Sequence, residues 1–214
     1  MENILPRRER ERQVRKSEMI EVAEKLFIQN GYEGTSMDDI AKEAQFTKRT
    51  IYQYFINKDD LFYAVALKFA RQLNSNFKEA FISKKTALEK IHYANLQYFQ
   101  FFKEHPEVFQ LINHVPQGKP GKEVSPNYIE MLKFQSESFQ MYTEIIEKGK
   151  KDGSMSPDLD AKKAAHFGVL TVMAYMNTMS KASNRYFETY GFAKDDFILF
   201  GLKMITETLA PKSI

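Results

Sequence analysis

Residues 47–58 read Thr47-Lys48-Arg49-Thr50-Ile51-Tyr52-Gln53-Tyr54-Phe55-Ile56-Asn57-Lys58. Coiled into a helix, Ile51 and Phe55 fall on one side, four residues apart. Lys48, Arg49, Thr50, Tyr52, Gln53 and Tyr54 are left for the solvent side. Cations, hydroxyls, an amide and phenols on one exposed face can neutralise phosphates and hydrogen-bond base edges in a DNA major groove. The same pattern also describes a helical hairpin with a polar outer face, and the residues alone leave both readings open.

Bond-making chemistry has little support. The sequence holds no Gly-rich phosphate loop and no nucleophile elbow. His92, His105, His114 and His166 are scattered, without the paired spacing of a metal site. The absence of Cys excludes disulfides, thiolate catalysis and Cys-ligated zinc, and suits a reducing compartment. No enzyme, metal or cofactor is therefore expected. An enzyme is still the main competing class and a helical adaptor that binds only proteins the third; specific, salt-sensitive DNA binding would separate the DNA reading from both, and turnover of a bound compound would revive the enzyme.

The net charge of +3 says less than its distribution. Arg7, Arg8, Arg10, Arg12, Arg15 and Lys16 stand against Glu9 and Glu11. A second cluster holds Lys42, Lys48, Arg49 and Lys58. The first run reads equally as a solvated helix face laced by Arg7–Glu11 and Glu11–Arg15 pairs, or as a phosphate-contacting arm. No apolar run is long enough to span a membrane, and the basic N-terminus lacks the apolar centre of a secretion signal. A cytoplasmic chain without membrane contact is expected.

The elements that position these residues are helical. Period-3.6 apolar patterns recur and alternating strand patterns do not, so the fold class is all-α with about nine helices. They are predicted near residues 10–30, 37–44, 48–55, 58–82, 87–105, 107–113, 126–151, 160–183 and 195–209. Gly31 ends the first. Ser36 and Asp39 suit a capping box on the second, and Thr47 caps the third. Ile40, Ala41, Ala44, Phe46, Ile51 and Phe55 form the shared core of a helix, a tight turn and a second helix. Pro116, Gly118, Pro120, Gly121 and Pro126 mark the one clear loop.

From Ile20 to Leu61 the sequence strongly resembles the TetR family of bacterial transcriptional regulators. The matching residues are Gly31-Tyr32-x-x-Thr35-Ser36, Asp39-Ile40-Ala41, Thr50-Ile51-Tyr52-x-Tyr54-Phe55 and Asn57-Lys58-Asp59-Asp60-Leu61. The resemblance implies an N-terminal three-helix helix-turn-helix domain, residues 1–60, and a C-terminal helical ligand-binding and dimerisation domain, residues 61–214. It implies that Thr35 and Ser36 cap the second helix and touch phosphate. Thr47, Lys48, Arg49 and Thr50 would stand at the tip of the recognition helix. Tyr52 and Tyr54 would bind phosphates, Gln53 would reach a base, and Lys58 would bind phosphate at the start of the fourth helix. One departure is clear: the family's turn usually reads Ala-Gly-Val-Ser, and here it is Ala44-Gln45-Phe46-Thr47. A left-handed Gln45 would cost roughly 1–2 kcal/mol.

The same resemblance implies a repressor that binds double-stranded palindromic operator DNA as a homodimer and is released by a small molecule. The density of Phe, Tyr and Met makes that effector mostly apolar. Candidate pocket residues are Asn95, Tyr98, Phe102, Phe134, Tyr142, Met173 and Asn177. Dimerisation would use the last two long helices: Ala164, Gly168, Thr171 and Tyr175 on one, and Phe197, Gly201, Met204 and Thr208 on the other. Their spacings of three or four describe packing inside one chain equally well.

Overall fold

The computed structural model describes residues 6–83, 86–112 and 124–211. Ten helices account for nearly all of it, with no strand among the described residues. They are α1 (Arg7–Asn30), α2 (Met37–Glu43), α3 (Lys48–Tyr52), α4 (Lys58–Ser83), α5 (Ala87–Glu104), α6 (Pro106–Ile112), α7 (Pro126–Asp152), α8 (Ala161–Lys181), α9 (Asn184–Thr189) and α10 (Lys194–Glu207). His114 and the loop residues at 116–121 lie outside the described residues.

The local chemistry explains most of the boundaries. Gly31 (φ 74°) and Gly153 (φ 77°) follow α1 and α7 in a backbone region that residues with a Cβ rarely enter. Ser36 and Thr86 each close a full capping box, with Asp39 and Glu89 as the reciprocal partners. Asp160 caps α8 by accepting from the Lys163 amide. Two expectations shift. The third helix ends at Tyr52 rather than near Phe55, because Gln53 starts a tighter turn in which Ile51 O accepts from both Tyr54 N and Phe55 N. A short helix, α9, raises the count from about nine to ten. Ser183 caps it and the buried Phe187 anchors it, and six residues are too few to show a helical period.

The chain divides into two compact units, Met1–Phe69 with His114–Leu132, and Ala70–Asn113 with Lys133–Ile214. In the first, Met19, Ala23 and Phe27 recur every four residues along α1 and are buried with Ile40, Ala41, Ile51, Phe55, Leu61 and Phe62. Each large apolar side chain so buried stabilises by about 1.5–3 kcal/mol. Phe27, Tyr32 and Phe62 form a ring cluster with centroids 5.2–5.8 Å apart. Ala44 and Phe46, expected in this core, are only half-buried at the turn.

A buried carboxylate fastens the start of α4 to the start of α7. Asp60 is 1% exposed. Its Oδ1 accepts from Ser125 Oγ at 2.7 Å, Asn127 Nδ2 at 2.8 Å and the Asn127 amide at 3.0 Å. Its Oδ2 accepts from the Ile56 amide at 3.2 Å. Several donors around one carboxylate satisfy the charge that burial would otherwise penalise.

In the second unit α10 packs on α5 and α8. A cluster of Ala87, Ile91, Ile145, Ile146, Met155, Ala161 and Ala165 forms one part of its core. Asn95 and Thr206, both buried, satisfy each other across α5 and α10 through a 3.0 Å bond. No described helix is long and apolar enough to cross a membrane.

Candidate nucleic-acid interface

The short α2, the turn and α3 are held rigid by hydrogen bonds at both ends. Ser36 Oγ accepts from Asp39 N, and Asp39 Oδ2 accepts from Ser36 N and Oγ. Those bonds, the side chain first, hold the Asp39 carboxyl below its ordinary range. Gln45 is left-handed, φ 57°, and the Phe46 amide then reaches Ala41 O at 2.9 Å. Thr47 Oγ1 accepts from Thr50 N at 3.1 Å and shares a 2.8 Å bond with Thr50 Oγ1.

The face so presented is polar and exposed. Lys48, Arg49, Tyr52 and Gln53 are exposed, while Thr50 and Tyr54 are half-buried. Lys48 pairs with Asp38 at 2.9 Å, an exposed pair that raises its ammonium's pKa. An ion pair of this kind is weak and readily exchanged. Arg49 has no ion-pair or hydrogen-bond partner among the described residues. Beside this face, the guanidinium of Arg12 on α1 lies 5.5 Å over the Tyr54 ring.

Two expected phosphate ligands are placed differently. Thr35 is 2% exposed, and its hydroxyl donates back to Gly31 O and Leu26 O, so Ser36 alone caps α2. The Lys58 ammonium donates to Tyr32 O at 2.9 Å and Thr35 O at 3.0 Å, and lies 4.2 Å over the Tyr32 ring. Tyr32 in turn donates its hydroxyl to Asp59. Burial, then Asp59, push the Tyr32 phenol well above its ordinary pKa and keep it a donor. Lys58 thus closes the loop between α1 and α2 onto α4, with one of an ammonium's three donors left over.

The sequence-named pocket residues in the second unit are mixed in character. Tyr98 is buried edge-on to Phe109, which Phe102 also meets edge-on. Tyr142 meets Phe77 and Phe81 in the same way. Burial pushes the phenols of Tyr98 and Tyr142 up. Phe134 is half-buried. Asn95 already has its Thr206 partner, whereas Asn177 Oδ1 and Asn74 Oδ1 are buried without one among the described residues. Met173 is 40% exposed and faces away from the core stripe of α8. An open groove of about 350 Å³, lined by Phe81, Lys90, Met141, Ile145 and Lys148, includes none of these named residues. His166 stacks flat on Phe139 at 4.1 Å, and no group of potential ligands able to hold a metal occurs among the described residues.

The named dimer residues divide between two rows. Ala164 packs on the core cluster. The Tyr175 hydroxyl donates to Phe197 O at 2.9 Å, and Tyr175 fills the space beside Gly201 that a Cβ would need. Tyr175, Phe197 and Gly201 therefore form the α8–α10 seam within one chain. Gly168 opens onto empty space, Thr171 is half-buried, and Met204 and Thr208 are exposed. Beside them stand Phe167, Leu170 and Phe200, which are 69%, 58% and 61% exposed and were not named.

Residues 19–65 match the model of bacterial regulatory proteins of the TetR family. An uncharacterized HTH-type transcriptional regulator, YhgD of Bacillus subtilis, is 29% identical over 145 residues, 67% of this chain and 73% of its own. The HTH-type transcriptional repressor KstR2 of Mycolicibacterium smegmatis is 24% identical over 153 residues, 72% of this chain and 73% of its own. Among solved structures, the transcriptional regulator FadR of Bacillus subtilis in complex with stearoyl-CoA superposes with a TM-score of 0.66 at 19% identity, covering 90% of this chain and 98% of that one. These relatives are regulators rather than enzymes. The capped helix-turn-helix thus lies within a segment, residues 19–65, that matches the TetR family of bacterial regulatory proteins.

Proposed function

We propose that the protein is a repressor that binds a palindromic operator as a homodimer and releases it when a mostly apolar small molecule occupies the second unit. The observation that carries the DNA reading is the outer face of α3, where Arg49 stands exposed, and unpaired among the described residues, beside Lys48, Tyr52 and Gln53. In this reading Arg49 and Gln53 reach base edges. Ser36, Thr47, Lys48, Thr50, Tyr52 and Tyr54 serve the phosphates. One such helix reads only a few base pairs, so two copies are needed, about 34–36 Å apart on the duplex.

The effector reading rests on the aromatic surroundings of Tyr98 and Tyr142 and on the orphan oxygen of Asn177, which suits a ligand with one donor group. Repressor action fits the KstR2 repressor, and the apolar part of the effector reading fits the stearoyl chain, though not the polyanionic coenzyme A, of the stearoyl-CoA bound to FadR. Ligand would favour a spacing of the recognition helices that no longer fits the operator, with coupling of roughly 1–3 kcal/mol. The test is selection of duplexes from a random library by the full-length protein, followed by titration of candidate lipids against the complex. A palindrome that is bound tightly and released by an apolar compound is the expected result. Ligands that bind tightly but leave operator affinity unchanged would sink the sensing model.

A further inference from the structure

The core stripe of α1 continues beyond the core as a row of cations. Positions 8, 12, 15, 19, 23 and 27 recur every three or four residues and share one side of the helix. From Met19 onward this row is buried: Met19 0%, Ala23 0% and Phe27 1% exposed. Before it the same row is Arg8, Arg12 and Arg15, all exposed. A stripe that faces the helix-turn-helix core thus turns cationic where the core ends. None of the three has an acidic partner among the described residues, whereas Arg7, off the row, pairs with Glu11 at 2.8 Å.

The projecting part of the helix stands beside the recognition elements. Arg12 lies over Tyr54, Lys16 lies 5.7 Å from the centre of the Phe55 ring, and Phe46 of the turn shares a groove with Val14, three arginines (Arg7, Arg10 and Arg15) and two glutamates (Glu11 and Glu18). Residues 7–16 extend about 15 Å along the helix axis. We infer that this end of α1 is a second DNA-binding surface, in which Arg8, Arg12 and Arg15 neutralise backbone phosphates flanking the half-site that α3 reads. The inference rests on the DNA reading of α3 and adds to it a contact outside the palindrome. Rigid positive charge without a fitted acid complements a phosphate backbone, and such contacts add affinity without sequence preference.

The probe is the palindrome selected by the full-length protein, in two versions. One duplex is cut at the palindrome's ends, and the other is extended by one helical turn of arbitrary sequence on each side. The triple variant R8Q/R12Q/R15Q should bind the extended duplex more weakly, with a salt dependence flatter by about 0.9 in slope for each phosphate no longer neutralised. It should bind the cut duplex as the wild type does. The variant R8K/R12K/R15K keeps the charges and should restore the wild-type slope. Both should melt like the wild type, because the three side chains are exposed. Equal slopes for R8Q/R12Q/R15Q and wild type on the extended duplex would overturn the inference. So would an equal loss on both duplexes, which would make the arginines half-site contacts. If instead the wild type failed to prefer the selected palindrome over a scrambled one, the α3 reading itself would fall and take this contact with it.

Discussion

Arg49 and Lys58 carry the same charge, lie nine positions apart and were both expected on DNA, yet their surroundings differ. Arg49 is exposed and unpaired among the described residues, so its guanidinium is available for a bidentate grip on guanine. Lys58 donates to two carbonyls of the loop before α2 and covers the Tyr32 ring. Arg49→Ala should therefore leave stability unchanged, weaken the cognate operator by about 1–3 kcal/mol and relax the preference at one position of each half-site. Lys58→Ala should lower unfolding stability by about 1–2 kcal/mol, since hydrogen bonds to charged groups are among the stronger ones. It should also weaken every DNA sequence alike, because the start of α2 loses its anchor. Urea unfolding together with titrations on cognate and scrambled duplexes separates these outcomes. A Lys58→Ala protein with wild-type stability would show that the two carbonyl bonds contribute nothing. The exposed row of α3 was legible because it needs only helical spacing and residue type. The duties of Thr35 and Lys58 were not. Thr35 reaches back nine residues to Leu26, and Lys58 reaches back 26 and 23 residues to its carbonyls. Nothing in the local pattern announces contacts of that range.

Element boundaries were read best where a side chain caps a backbone. Ser36, Thr47, Thr86 and Asp160 each accept from the amide three residues on. Gln45 was legible in the same local way, by comparison with the glycine usual at that position of the turn. Its φ of 57° puts a Cβ in the left-handed region. Replacing it with Gly removes a strain of roughly 1–2 kcal/mol and adds back some unfolded-state entropy. Gln45→Gly should thus stabilise the protein by about 0.5–1 kcal/mol, seen as a higher urea midpoint with an unchanged slope. A lower midpoint would mean that Gln45 makes a contact worth more than its strain. The Asp60 latch was invisible in the sequence because its partners, Ser125 and Asn127, follow 65 and 67 residues later. Removing a buried carboxylate strands those donors, each at about 1–3 kcal/mol. Asp60→Ala should lower stability by at least about 2 kcal/mol, and Asp60→Asn by less, since an amide oxygen can still accept. Equal stability of the two variants would show that the donors find other partners.

At the scale of the whole molecule, the second unit leaves an apolar face bare. On α8 the row Phe167, Leu170, Ala174 and Thr178 is exposed, and on α10 Phe200 and Met204 are exposed four residues apart. Contiguous apolar surface of this kind usually marks an association site. The row expected from the sequence on these two helices is turned partly inward, since several small and aromatic residues of each helix recur every three or four positions. Only the packing shows that Tyr175 and Gly201 face each other inside one chain. A twofold dimer places the same patch of both copies together, so one charge introduced per chain is met by its like across the axis. Phe167→Glu combined with Phe200→Glu should therefore separate the copies without unfolding them, because neither side chain supports the core of its own chain. Light scattering at micromolar concentration should then give a mass near the 25.0 kDa of one chain, against twice that for the wild type. Circular dichroism should still report the helices. Operator affinity should fall by about 10²–10⁴, the advantage of linking two half-site contacts in one particle, while binding to a single half-site should change little. A double variant that keeps the doubled mass would place the dimer contact elsewhere. A wild type that already runs as a single chain would remove the basis for a palindromic operator.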